Sequence, residues 1–72
     1  MSVKITPGYY HTDIGSTNIR ILAIYYSTKD YFVCKLELID CASGFPLEEK
    51  PKQYRIYYEN ITHWKKGVRP CA

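Results

Sequence analysis

The chain has 72 residues, of which 46% are apolar and 24% are charged, and its formal net charge is +3. A chain of this length forms one domain with a thin core, because it buries only ~60% of the surface that its unfolded form exposes. This composition is that of a globular protein and excludes a disordered chain. No segment approaches the ~20 apolar residues that cross a bilayer, which excludes a membrane-spanning helix.

The N-terminal part predicts short extended pieces separated by turns. Residues 3–6 alternate in polarity and end at Pro7-Gly8, which is a turn signal. Residues 9–12 form either a second short strand or a bend in the first. Residues 13–18 are rich in turn-forming residue types, which predicts a loop.

Two strong strands follow, joined by a turn at residues 27–30. Residues 18–27 are apolar on both faces, which is typical of a strand that is central to a barrel or packs one side against a partner. One predicted face of this strand holds Ile19, Ile21, Ala23 and Tyr25, and the other holds Leu22, Ile24 and Tyr26. Residues 31–40 alternate more regularly. Their predicted core-facing side chains are Phe32, Cys34, Leu36 and Leu38.

The C-terminal third begins with a long polar connection, residues 41–52, which contains one glycine and two prolines. Residues 53–61 predict a third strong strand, with Arg55, Tyr57 and Glu59 on its outward face. Residues 61–68 predict a short helical turn or a final strand, followed by a loose tail at residues 69–72. No window shows a 3.6-residue apolar period, so a substantial helix is not expected.

This series of short strands predicts an all-β fold, a small antiparallel barrel of about five strands in one domain. The sequence Pro7-Gly8-Tyr9-Tyr10, the strand at residues 20–24, the long connection and the late Trp64 resemble an SH3-like small barrel of the KOW and Tudor group. The resemblance covers residues 3–68. It implies binding of nucleic acid, of methylated tails in an aromatic cage, or of protein partners through a tyrosine-lined groove. Such a cage could draw on Tyr9, Tyr25 and Trp64.

Nothing in the sequence predicts catalysis, a cofactor or a metal site. The three cysteines, Cys34, Cys41 and Cys71, lack the close pairing of structural zinc ligands and are expected to be buried small apolar residues and one tail thiol. No nucleophile lies in a recognisable catalytic motif. The odd cysteine count and the absence of a signal-peptide pattern at the N-terminus favour a reducing compartment, and we expect a cytoplasmic protein.

Charge and aromatic residues coincide in the C-terminal third. Residues 50–72 carry six cations and one anion, whereas residues 1–49 carry four cations and six anions. Rings interleaved with cations are typical of proteins that bind single-stranded nucleic acid. The candidate site residues are Lys52, Arg55, Tyr57, Trp64, Lys65, Lys66 and Arg69.

Three interpretations of this basic-aromatic surface stay open from the sequence. The leading hypothesis is a non-enzymatic module that binds nucleic acid or a nucleic-acid-handling complex. The second is a protein-binding accessory or inhibitor, for example one encoded by a phage or mobile element, which could be homodimeric, because aromatic and arginine clusters also mark protein interfaces. The third is that the rings only cover the ends of a small barrel.

Overall fold

The computed structural model describes residues 5–12 and 15–69, which form five β-strands and one 3₁₀ turn. The strands are β1 (Gly8–His11), β2 (Thr17–Ser27), β3 (Tyr31–Asp40), β4 (Lys52–Tyr57) and β5 (Lys65–Lys66), and the 3₁₀ turn is Tyr58–Asn60. The all-β fold and the number of strands are therefore confirmed. The predicted strand at residues 3–6 is not formed at residues 5 and 6, and residues 3 and 4 lie outside the described residues.

All strands pair antiparallel in one sheet with the order β4-β3-β2-β1-β5. Strand β1 is therefore paired on both sides, by β2 and by β5, although it has only four residues. Strands β4 and β5 are the two edges and do not pair with each other within the described residues. The sheet is thus open, which corrects the expectation of a closed barrel.

Two register shifts in β2 decide which of its side chains face the core. Ile21 pairs with Leu36 and Ala23 with Lys35, so one extra residue is inserted in β2. A second extra residue, Tyr25, lies between the pairs Ile24–Cys34 and Tyr26–Val33. A β-bulge of this kind bends the strand and interrupts the alternation of its side chains. The predicted assignment of the two faces is therefore wrong beyond Ile21.

The bulges bring the apolar residues of β2 to one side. Because directly paired residues point to the same face of a sheet, Ile24 lies on the face of Cys34, together with Ile21. Ile24 packs against the core, whereas Tyr25 and Tyr26 stay about half exposed. Most of the second apolar face expected for this strand is therefore absent.

The core lies on one face of the sheet and is covered by residues from the C-terminal part. Its buried members are Tyr10, Ile21, Phe32, Cys34, Leu36 and Ile61, with Trp64 and Tyr58 packed against them. Three of the four predicted core residues of β3 are buried, and the fourth, Leu38, is half-buried against the same cluster. The Tyr10 hydroxyl donates a hydrogen bond of 2.8 Å to the Thr6 carbonyl, which satisfies the polar end of a buried ring.

The long connection after β3 is folded back along the strand. The amide of Leu47 donates to the Leu38 carbonyl at 2.8 Å, and the amide of Asp40 donates to the Phe45 carbonyl at 2.9 Å. Gly44 supplies the positive φ of 77° that this turn requires. The Asp40 carboxylate accepts a hydrogen bond from the Ser43 amide, which lowers the pKa of that carboxyl.

The third strong strand is shorter than predicted. It was expected to reach residue 61, but β4 ends at Tyr57 and the chain turns into the 3₁₀ segment. This turn directs the ring of Tyr58 onto Phe32, with the ring centroids 5.5 Å apart. Of the two alternatives predicted for residues 61–68, a final strand is formed, as β5, and the short helical turn near the C-terminus is the 3₁₀ segment, which lies just before those residues.

Candidate binding face of the sheet

The face of the sheet opposite to the core carries a cluster of three tyrosines and one arginine at its β4 side. Tyr31 pairs with Tyr57, and Val33 pairs with both Tyr26 and Arg55, so these side chains share the face opposite to the core. The ring centroids of Tyr31 and Tyr57 are 5.4 Å apart, and those of Tyr26 and Tyr31 are 6.4 Å apart in an edge-to-face arrangement. We call this cluster of Tyr26, Tyr31, Arg55 and Tyr57 the tyrosine–arginine face.

Arg55 is stacked in the middle of this cluster. Its guanidinium carbon lies 4.9 Å from the centroid of the Tyr31 ring, within the range of a cation–π contact. A side-chain hydrogen bond to Tyr57 and the nearby Tyr31 hydroxyl raise the pKa of Arg55. Val33, between Arg55 and Tyr26, is only 4% exposed although it points away from the core. The side chains around it therefore form a small packed layer that is held in place before any ligand binds.

A second arginine–tyrosine contact lies further along the same face. The guanidinium carbon of Arg20 is 5.7 Å from the centroid of the Tyr9 ring, and its Nη1 lies 3.3 Å from the Glu37 carboxylate. Lys35 is exposed on the same face, between Glu37 and the tyrosine–arginine face. Three cations and one paired carboxylate thus leave this part of the sheet positively charged.

An open cavity of about 340 Å³ adjoins the tyrosine–arginine face. It lies between the turn that joins β2 to β3 and the 3₁₀ turn, and the amide of Tyr58 connects the two turns by donating to the Asp30 carbonyl at 3.0 Å. The Thr28 hydroxyl accepts hydrogen bonds from the amides of Asp30 and Tyr31, which fixes the first turn. The cavity is lined by Lys29, Asp30, Tyr57, Tyr58 and Glu59.

The structure does not bring the predicted site residues into one surface. Because β4 and β5 are the two edges of the sheet, Lys52, Arg55 and Tyr57 lie at one edge and Lys65 and Lys66 lie at the other. Arg55 and Tyr57 share a face, as predicted. The single basic-aromatic surface expected over residues 52–69 is therefore divided into two parts.

The other predicted site residues have structural contacts of their own. Trp64 is half-buried and packs on Tyr10 with ring centroids 5.9 Å apart, so it belongs to the core. Lys52 Nζ lies 3.1 Å from the Glu48 carboxylate, whose hydrogen bond and charge raise the pKa of Lys52. Arg69 is half-buried, and its backbone amide donates to the side chain of Asn18.

Sequence reasoning missed two members of the tyrosine–arginine face. Tyr31 and Tyr26 come from different strands, and their contact with Tyr57 depends on the pairing of β2, β3 and β4. The outward alternation of β3 indicated Tyr31, but the bulge at Tyr25 that turns Tyr26 outward has no sequence signal. The rings proposed for an aromatic cage do not meet, because Tyr9 contacts Arg20 and Trp64 packs on Tyr10.

Cys34 is buried as the sequence predicts, whereas Cys41 differs from the expectation. Cys34 is a free, fully buried thiol, and its burial raises its pKa to about 11. Cys41 takes part in a disulfide bond. Cys71, which the sequence predicts to be a tail thiol, lies outside the described residues. Within residues 5–12 and 15–69, no three His, Cys, Asp or Glu side chains come together as a metal site.

Comparisons with protein-family models, with curated proteins and with solved structures gave no match. The described part of the chain contains no helix that is long and apolar enough to cross a membrane. The features that bear on function are therefore the tyrosine–arginine face and the cavity beside it.

Proposed function

We propose that this protein is a non-enzymatic module that binds single-stranded nucleic acid through the tyrosine–arginine face. The observation that carries the proposal is the stack of Arg55 on Tyr31 between two partly exposed rings, Tyr26 and Tyr57. Such rings stack on unpaired bases of any sequence, and the neighbouring cations attract the phosphates. Arg20 and Lys35 extend the positive charge along the same face.

The lysines of β5 have a different role in this proposal. Lys65 and Lys66 lie on an edge strand of two residues that pairs only with β1 within the described residues. Lysines on short edge strands keep other chains from adding to the sheet. They contribute long-range attraction to an anionic ligand, whereas contact with the bases belongs to the other side of the sheet.

The test is a binding titration with labelled single-stranded oligonucleotides at low salt, where attraction to phosphates is strongest. We expect Tyr57→Ala to weaken binding by roughly 5- to 100-fold, because one stacked base contributes about 1–3 kcal/mol. Tyr54→Ala is the matched control, since Tyr54 is an equally exposed tyrosine of β4 that pairs with Cys34 and so lies on the opposite face. Failure of the protein to bind any single strand at low salt contradicts the proposal.

A second candidate function, a protein-binding accessory or inhibitor, is favoured by one observation. Phe45 and Leu47 are 72% and 56% exposed in the segment that extends the β4 edge along β3. Large exposed apolar side chains beside a sheet edge suit a protein partner or a second copy of the chain. Sedimentation of the purified chain at several concentrations distinguishes a second copy from a different protein partner. Only a homodimer increases the mass when no other protein is present.

The SH3-like resemblance is also a proposal. Two features support it, the five antiparallel strands in one sheet and the single 3₁₀ turn between β4 and β5. The open edges of the sheet separate this chain from a fully closed barrel. Because the resemblance is proposed from the architecture alone, it suggests a general class of binding modules but identifies no individual site residue.

The expected cytoplasmic location stays a prediction, and the disulfide of Cys41 weighs against it. Disulfides persist in oxidising compartments and are rare in the cytosol. Counting cysteines favoured a reducing compartment because three is an odd number, but an odd count is equally compatible with a free buried thiol at Cys34 beside a disulfide at Cys41.

A further inference from the structure

The cavity and the tyrosine–arginine face share one residue. Tyr57 lines the cavity and also lies 5.4 Å from Tyr31 in the cluster. A nucleic acid strand stacked on the face therefore passes the mouth of the cavity. Its volume of about 340 Å³ is at the lower end of the range for small-ligand pockets and leaves room for one nucleobase.

Two of the residues that line the cavity are acidic. Asp30 and Glu59 bring carboxylates, which act only as acceptors when ionised. Neither carboxylate has a hydrogen-bond or ion-pair partner among the described residues. Lys29 adds a cation at the same site, suited to a phosphate or a ring oxygen.

The backbone of the two acidic residues is held by the two turns that carry them. The amide of Asp30 is bound to the Thr28 hydroxyl, and its carbonyl accepts from the amide of Tyr58. Glu59 follows Tyr58 in the 3₁₀ turn, whose first ring is packed on Phe32 in the core. The cavity therefore exists before a ligand binds, which lowers the entropic cost of binding.

The two carboxylates of the cavity discriminate among the four bases. A carboxylate accepts two parallel hydrogen bonds from a pair of adjacent donors. Guanine presents such a pair, N1–H and the N2 amino group, on its Watson–Crick edge. Adenine and cytosine each present one amino group beside an acceptor nitrogen. Uracil presents one N–H between two carbonyl oxygens, which the carboxylates repel.

We propose that this cavity accepts one unpaired guanine, stacked against Tyr57, with its N1–H and N2 donors bound by the carboxylates of Asp30 and Glu59. The inference rests on the proposed function, since the base is delivered by a strand bound to the tyrosine–arginine face. It gives that face a sequence preference, which stacking and phosphate contacts alone do not supply.

The experiment compares oligouridines of equal length that carry one central guanine, adenine, cytosine or uridine, titrated at one fixed salt concentration. We expect the guanine oligomer to bind roughly 5- to 100-fold more tightly than oligouridine, the range of one good bidentate contact. Adenine and cytosine are expected to lie between them. Equal affinity for all four oligomers overturns the guanine site and leaves the proposed function intact, whereas no binding to any of them overturns both.

A charge-matched pair of variants tests the two carboxylates. The double substitution Asp30→Asn with Glu59→Gln removes two negative charges, so general attraction to phosphates rises while the preference for guanine disappears. The control, Glu48→Gln with Glu49→Gln, removes two charges from the exposed connection before β4 and raises the affinity for all four oligomers equally. Retention of the guanine preference in the first variant overturns the assignment.

Discussion

The side chain of Asn18 accepts a hydrogen bond of 2.7 Å from the backbone amide of Arg69, 51 residues further along the chain. Asn18 is only 4% exposed, although it lies on the face of the sheet opposite to the core. It is covered there because the segment after β5 crosses this face. Two further contacts hold that segment to β1, since the amide of Gly67 donates to the Tyr9 carbonyl and His11 Nδ1 lies 2.8 Å from the Gly67 carbonyl.

This relationship predicts that Asn18→Ala destabilises the protein. The substitution leaves the Arg69 amide without its acceptor in a largely buried site, a loss of about 1–3 kcal/mol in the free energy of unfolding. Urea denaturation followed by tyrosine and tryptophan fluorescence measures it. Asn60→Ala is the control, the same substitution at an exposed position of the 3₁₀ turn. Equal midpoints for the two variants would show that the contact does not stabilise the fold.

The disulfide of Cys41 predicts which thiols of the purified protein react with an alkylating reagent. Alkylation after unfolding without a reductant should modify Cys34 but not Cys41, and alkylation after reduction should modify both. Mass spectrometry of the peptides identifies the modified cysteines. Reduction should also lower the free energy of unfolding, by about 2–4 kcal/mol for a typical disulfide. Modification of Cys41 in the unreduced chain would restore the expectation of a cytoplasmic protein.

The strands were predictable where one side of the sheet is apolar. In β3 the regular alternation of side chains fixed the core set around Phe32, because a one-residue slip would turn that whole set to solvent. In β2 the same reasoning failed after Ile21, since a bulge leaves no mark in the sequence when the inserted residue is itself apolar. The end of β4 was missed because Tyr58 suits a strand as well as a 3₁₀ turn that packs on the core.

The candidate site was only half predictable, because it depends on which strands are neighbours. Arg55 and Tyr57 were found, since they alternate on one strand with a clear outward face. Lys65 and Lys66 were grouped with them because they are close in sequence, but the short β5 pairs with β1 at the far edge of the sheet. Trp64 was also grouped with the site residues, but it packs against the core instead, because a thin core buries the largest apolar ring available to it.

The buried Cys34 thiol predicts a loss of stability at alkaline pH. Its pKa of about 11 in the folded protein exceeds the ordinary value of 9.0, so the folded state holds its proton more tightly than the unfolded state. The resulting stabilisation is complete below pH 9.0 and is lost as the pH rises to about 11. The difference of about 2 between the pKa values of the folded and unfolded states corresponds to about 3 kcal/mol in the free energy of unfolding.

Cys34→Ala isolates this effect from the titration of the eight tyrosines. The variant has a small cavity that lowers stability equally at every pH, but it has no thiol to ionise. Urea midpoints at pH 8, 9, 10 and 11 should therefore converge for the two proteins as the pH rises. Parallel curves would mean that the thiol ionises equally well in both states.

The stack of Arg55 on Tyr31 predicts different results for two substitutions of the arginine. Arg55→Lys keeps the charge but loses the flat guanidinium that lies 4.9 Å from the ring. Oligonucleotide affinity should fall several-fold, while the slope of log affinity against log salt stays the same, because the number of cations near the phosphates is unchanged. Arg55→Ala should lower the affinity further and reduce the slope by about one. If the lysine variant binds as tightly as the natural protein, Arg55 acts through its charge alone and the stacked geometry does not contribute to binding.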